Sequence, residues 1–170
     1  MLYSTMYNSP VGMLTLAGDE ANLVGLWFDG QKYYGGSVSA EMTVKDDMPI
    51  FDMVRKWLYR YFAGENPAAS EVPLAPYGTL FRQRIWNVLR EIPYGEVISY
   101  GEIARKVAAD DIKARALSRA VGGAVGHNPI SIIIPCHRVV GSDGSLTGYA
   151  GGIDKKLFLL RLEGAPVSEK

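Results

Sequence analysis

The 170-residue chain carries a single cysteine, Cys136, and only two histidines. One thiol cannot close an internal disulfide, and with two histidines it cannot build a cysteine-rich zinc site. No run of about eighteen apolar residues occurs, and the opening "MLYSTMYNSPVGMLTLAG" lacks a basic stretch followed by an apolar one, so neither a membrane span nor a secretory leader is expected. A soluble cytoplasmic protein in a reducing compartment fits, with a prokaryotic cell assumed. Internal repeats and low-complexity tracts are missing too, which excludes solenoid and fibrous classes. The chain has 48% hydrophobic residues and 21% charged ones, an ordinary globular composition for one large or two small domains.

There is no excess of either charge, with 18 basic against 18 acidic residues, but the balance hides an asymmetry. Residues 1–77 hold 5 Lys/Arg and 9 Asp/Glu, whereas residues 78–170 hold 13 and 9. Between Ile112 and Val140 stand Lys113, Arg115, Arg119 and Arg138 and no acid. Such a basic field suits a polyanion such as nucleic acid, and a solvated surface is the alternative.

The first half alternates short apolar segments with Ser-Pro, Gly-Asp and Asp-Gly breakers, the pattern of a strand meander. In "PIFDMVRKWLYRYFAG" the residues Ile50, Val54, Trp57, Leu58, Tyr61 and Phe62 recur at helical spacing, predicting one helix over that sheet. The segment 64–77, with Pro67, Pro73 and Pro76, reads as a linker between a domain of residues 1–77 and a second of residues 78–170. In the second half Thr79 is expected to cap a helix, and Ser99 with Glu102 forms a capping-box pattern that starts another at Tyr100. A further helix through "IKARALSRAVGGAVG" completes a helix-turn-helix pattern, and Asp154 is expected to cap the last helix. For Gly122, Gly123 and Gly126, close packing on a neighbour is the preferred reading over a phosphate cradle, since no strand leads into them.

The chemistry concentrates in "IIIPCHRVVG". A free thiol is roughly 3% thiolate at pH 7, and a nearby imidazole or cation raises that fraction. His137 and Arg138 follow Cys136 directly, while Pro135 gives a rigid, non-helical presentation. On an extended segment neighbours point to opposite sides, so a buried structural thiol stays open as the alternative.

The blocks "IPYGEVISYGEIA", "SRAVGGAVGHNP", "IPCHRVVGSDGSLTGYAGG" and "LLRLEG" together resemble the O6-alkylguanine-DNA alkyltransferases, the methylated-DNA-protein-cysteine methyltransferase family. The resemblance spans the second half and is looser in the first. It implies a two-domain α/β (α+β) fold: a small N-terminal sheet-plus-helix, ribonuclease-H-like domain and a mostly helical, winged-helix-like domain with a helix-turn-helix. It implies a DNA-repair protein that transfers the alkyl group of O6-alkylguanine in double-stranded DNA irreversibly to Cys136, one group per molecule, with nucleotide flipping. His137 would draw off the thiol proton through a water, Glu163 would orient His137, and Tyr100 would protonate the leaving guanine. Arg119 would fill the gap left by the flipped base, with small Ser118 and Ala120 allowing close approach in the minor groove. Asn128 would be a hinge. The carbonyls of Cys136 and Val139, the ring of Tyr149, and Ala150 and Gly151 would hold the base. No cofactor and no metal are implied, because residues 1–77 lack the cysteines and histidines that hold zinc in some relatives. A monomer is expected, with cooperative binding along DNA left open. A non-catalytic lesion-binding module and a Cys-His-Glu hydrolase are the rival readings.

Overall fold

The computed structural model describes all residues except 33, 36, 37, 39, 40 and 168–170. Strands β1 (Leu2–Ser9), β2 (Gly12–Gly18) and β3 (Leu23–Phe28) form the expected antiparallel meander. A fourth strand, β4 (Met42–Val44), pairs in parallel with β1, giving the order β3-β2-β1-β4. The first turn is local chemistry: Ser9 Oγ donates to the Gly12 carbonyl, and Gly12 takes a φ of 105° that a side chain would resist. Helix α1 (Pro49–Phe62) lies on this sheet and buries Ile50, Phe51, Val54, Trp57, Leu58 and Tyr61, so the predicted stripe holds apart from Phe62, which is half-buried.

Segment 64–77, expected as a linker, runs along β3. Leu23 donates to the Pro73 carbonyl at 2.9 Å, and Ala75 donates back to Leu23 at 2.9 Å. The indole of Trp57 also donates to Ala68 at 2.9 Å. β3 is extended again farther along by the second half: Leu26 donates to Pro129 at 2.8 Å, and Ser131 donates to Leu26 at 3.0 Å. Leu14, Leu26 and Trp57 consequently share one buried cluster with Trp86, Val121 and Ile132.

The second half holds α2 (Leu80–Arg90), β5 (Ile98–Ser99), α3 (Tyr100–Val107), α4 (Asp111–Gly126), β6 (Val139–Val140) and α5 (Ile153–Leu162). Thr79 caps α2 by accepting from Arg82, and Ser99 caps α3 by accepting from Glu102. Asp154 does not cap α5: the cap position is Gly152 at φ 104°, and Asp154 sits in the first turn, where its charge still favours the helix N-terminus. β5 and β6 pair in parallel through Ile98 with Val139 and Ser99 with Val140. That short ladder locks the start of α3 to the residues just beyond Cys136. Among the described residues no helix is long and apolar enough to cross a membrane.

Candidate active site

Cys136 opens a single 3₁₀ turn, Cys136–Arg138, so the non-helical presentation expected from Pro135 is replaced by one tight helical turn. The turn follows a constrained segment. Ile132 has a φ of 71°, alone in the left-handed region among the described non-glycine residues, a conformation that costs a β-branched side chain roughly 1–3 kcal/mol. The side chain of Asn128, just past the end of α4, holds that segment. Its Nδ2 donates to Ile130 at 3.2 Å and to Ile134 at 2.8 Å, and its Oδ1 accepts from Ile130 at 3.1 Å.

Burial pushes the Cys136 thiol up in pKa, although Asn128, Lys156 and Tyr149 pull the other way. Adjacency to His137 therefore does not make a resting thiolate; the thiol needs a base. His137 is fully buried, and that burial lowers its pKa despite the neighbouring Glu163. Its Nε2 lies 2.6 Å from Oε2 of Glu163. Burial alone would raise the carboxyl of Glu163, but hydrogen bonds and charge from His137 and Arg138 hold it at about 2. An ionised Glu163 only accepts, so Nε2 carries the imidazole hydrogen and Nδ1 presents a lone pair. Nδ1 is buried and has no protein partner among the described residues.

Three residues join this network that the sequence reading did not assign to it. Arg138, counted there among the cations for a polyanion, is buried. Its Nε and Nη2 donate to Glu163 at 2.8 and 3.1 Å, and its Nη1 donates to Ile92 at 2.7 Å. It is withdrawn from the basic surface because a buried carboxylate needs a paired cation. Lys156 is fully buried and donates to the carbonyls of Val139 at 2.6 Å and Thr147 at 3.0 Å. Burial brings it down to about 8. Its sequence signal was available: Lys156, Leu159, Leu160 and Glu163 share one face of α5 at helical spacing. Tyr61, read from sequence as an apolar face residue, donates from its hydroxyl to Oε2 of Glu163 at 2.6 Å.

The thiol lines a cavity of about 290 Å³ with Tyr100, Asn128, Tyr149 and Ala150. A larger cavity of about 480 Å³ touches the reverse of the segment at Pro135 and Arg138 and does not reach the thiol. Gly122, Gly123 and Gly126 wall the smaller one, and a Cβ added to any of them would meet no atom within 4 Å. The close packing expected for them is absent; they leave room beside the thiol instead. Burial raises the Tyr100 hydroxyl, which lies beside Thr147 and Cys136. The buried Tyr149 hydroxyl sits by Cys136 and Ser131 without a fully formed hydrogen bond, and its ring meets Phe28 of β3 edge-on at 5.8 Å. Gly151 lies behind that ring pair, where a Cβ would come within 2.6 Å of Phe28. Val139 likewise stands outside the cavity wall, its carbonyl already accepting from Lys156. Ser118, Arg119 and Ala120 are exposed on α4, and Arg119 lies one turn before Gly123 of the cavity wall.

Residues 80–165 match the family model described as the 6-O-methylguanine DNA methyltransferase DNA binding domain, and residues 2–76 match the ribonuclease-like domain of the same family. The chain is 47% identical over 169 residues to a methylated-DNA-protein-cysteine methyltransferase of Haemophilus influenzae, covering 99% of this chain and 90% of that one. A second relative of that name, from Methanosarcina acetivorans, is 46% identical over 96% of this chain and 99% of its own. Among solved structures, Mycobacterium tuberculosis OGT in complex with DNA superposes with a TM-score of 0.82 at 44% identity, covering 96% of this chain and 95% of that one.

Proposed function

Because the chain belongs to the 6-O-methylguanine DNA methyltransferase family, and is thus a DNA-repair methyltransferase that takes an alkyl group onto a cysteine, we propose that Cys136 is the acceptor and O6-alkylguanine in duplex DNA the lesion. The observation that carries the assignment is that Cys136 is the chain's lone thiol and stands in a cavity backed by a neutral imidazole on an ionised carboxylate.

The geometry supports the following sequence. Nδ1 of His137 makes no hydrogen bond to the thiol, so the thiol proton crosses to it through one intervening water. The imidazolium that forms is balanced by Glu163. The sulfur attacks the alkyl carbon, the S–C bond forms as the C–O6 bond breaks, and the bonding pair passes into the guanine ring. Tyr100 supplies a proton to the ring as it leaves and is reprotonated afterwards, so the net change moves the alkyl group to sulfur and the thiol hydrogen to guanine. Burial keeps Tyr100 protonated until that moment, which suits a donor. A base inside a duplex stack cannot reach a thiol that is 6% exposed, so the nucleotide has to rotate out, with Arg119 filling the gap. The thioether is not reversed by thiols, so each molecule acts once.

Intact-protein mass measurement after mixing with excess duplex containing one O6-methylguanine tests this reading. One added methyl per chain, mapped to Cys136 and absent from Cys136→Ser, is the expected result; an unchanged mass with the duplex bound would make the protein a lesion-binding module.

A further inference from the structure

The carboxylate of Glu163 is surrounded by donors on four residues from three places in the chain. Oε1 accepts from Arg138 Nε at 2.8 Å and from the Gly95 backbone at 3.2 Å. Oε2 accepts from His137 Nε2 at 2.6 Å, from Arg138 Nη2 at 3.1 Å and from Tyr61 at 2.6 Å. Of these donors only Tyr61 comes from the N-terminal half, 102 residues away in sequence. It is also held in place from several sides. Its ring stacks on Trp57 at 5.4 Å with planes 9° apart, and it meets Phe62 and Tyr94 edge-on at 5.2 and 6.3 Å. Tyr61 is 1% exposed, so its hydroxyl has no water to turn to.

We propose that Tyr61 is a positioning residue for alkyl transfer, one that sets how strongly Glu163 attracts the proton on His137. Phenol and imidazole share one carboxylate oxygen. Each hydrogen bond that an anionic oxygen accepts lowers its affinity for the next, so a strong phenol bond weakens the hold of Oε2 on an imidazolium. Without it Oε2 would favour protonated His137, and the base would be lost at a higher pH. Helix α1 would thereby act on a reaction that its residues never touch. The inference rests on the alkyl-transfer reading above.

The other charged and titratable groups facing this pair are accounted for. Arg138 and Lys156 both disfavour the imidazolium, Tyr94 packs on Tyr61 with Arg138 over its ring at 5.8 Å, and Cys136 and Tyr149 lie on the cavity side. None of these is altered by removing the Tyr61 hydroxyl. Burial and Glu163 raise the phenol well above its ordinary value, so Tyr61 remains a donor throughout the range in which His137 titrates.

The test is the single-turnover rate of alkyl transfer from free O6-benzylguanine, which needs no DNA binding, between pH 5 and 9. For Tyr61→Phe the midpoint of the acid limb should rise by roughly half a unit to one unit, with the plateau rate within about threefold of wild type. Site-specific 3-fluorotyrosine at position 61, a stronger donor of nearly the same size, should move the midpoint the other way. It decides the matter by itself if the phenylalanine variant does not fold. Midpoints unmoved in the variants, with only plateau or stability lowered, would reduce Tyr61 to a packing residue and overturn the inference, as would shifts of opposite sign. Wild-type protein that transfers neither benzyl from the free base nor methyl from duplex O6-methylguanine would instead overturn the alkyl-transfer reading itself.

Discussion

The ammonium of Lys156 lies 2.6 Å from the carbonyl oxygen of Val139, three residues beyond the thiol, and reaches the Thr147 carbonyl at 3.0 Å. A helix that contributes nothing to the cavity wall in this way staples the strand after Cys136 to the loop before Tyr149. The cation is fully buried without a carboxylate partner among the described residues, and the carbonyl dipoles take that place.

Lys156→Met should therefore leave buried carbonyls unpaired and loosen the loop that presents Tyr149. Stability to urea should fall by about 2 kcal/mol, and transfer from O6-benzylguanine should slow by about tenfold. Arginine should not restore either, since a planar fork does not fit a fully enclosed ammonium site. Urea titration and single-turnover kinetics on both variants check this.

Gly123→Ala separates stability from substrate range. Nothing lies within 4 Å of the added methyl, so the helix should gain roughly 0.5–1 kcal/mol. The same methyl intrudes on the cavity beside the thiol. Transfer of benzyl should therefore slow by more than transfer of methyl, and a variant that transfers both groups at wild-type rates would contradict the cavity assignment.

Arg119→Ala should act on duplex alone. The residue is exposed, so thermal stability should change by no more than about 0.5 kcal/mol. Repair of O6-methylguanine in duplex should slow while reaction with free O6-benzylguanine is unchanged, and the salt dependence of DNA binding should lose about one charge. Equal losses on both substrates would count against a flipping role.

Acid lability follows from the His137–Glu163 pair with a definite sign. The Glu163 carboxyl is held at about 2 against an ordinary value of 4.5, so the folded state binds fewer protons between those values. Its contribution is complete above about 4.5 and is lost as pH falls toward 2. His137, lowered by burial from 6.5, adds in the same direction: below that value the unfolded chain takes a proton that the folded one refuses. Urea midpoints should therefore decline from about pH 6.5 downward, and a flat profile between pH 7 and 4 would show the pair to be solvated.

The ends of α2 and α3 were legible because a cap is decided within a few residues: Thr79 and Ser99 each satisfy a backbone donor three positions on. Asp154 misled for a related reason, since a good capping residue stood two positions from a glycine that alone tolerates the φ of 104° required there. Residue chemistry singled out the lone thiol beside a histidine while keeping a buried structural thiol as the alternative, and Glu163 was reached only through the resemblance carried by the "LLRLEG" block.

What the sequence by itself determined is local: the period of α1, the caps of α2 and α3, and a lone thiol set beside a histidine, all governed by interactions among near neighbours. Which charges would be withdrawn from solvent was decided only by the tertiary structure. Arg138 reads as a surface cation, Lys156 as a helix lysine and Tyr61 as a core aromatic until the fold brings their partners from 8 to 102 residues away. The free energy of a buried charge or hydroxyl depends on those partners, and on the water they exclude, rather than on residue type. The three glycines of α4 show the same limit: whether a missing side chain serves contact or space is settled only by what stands opposite it.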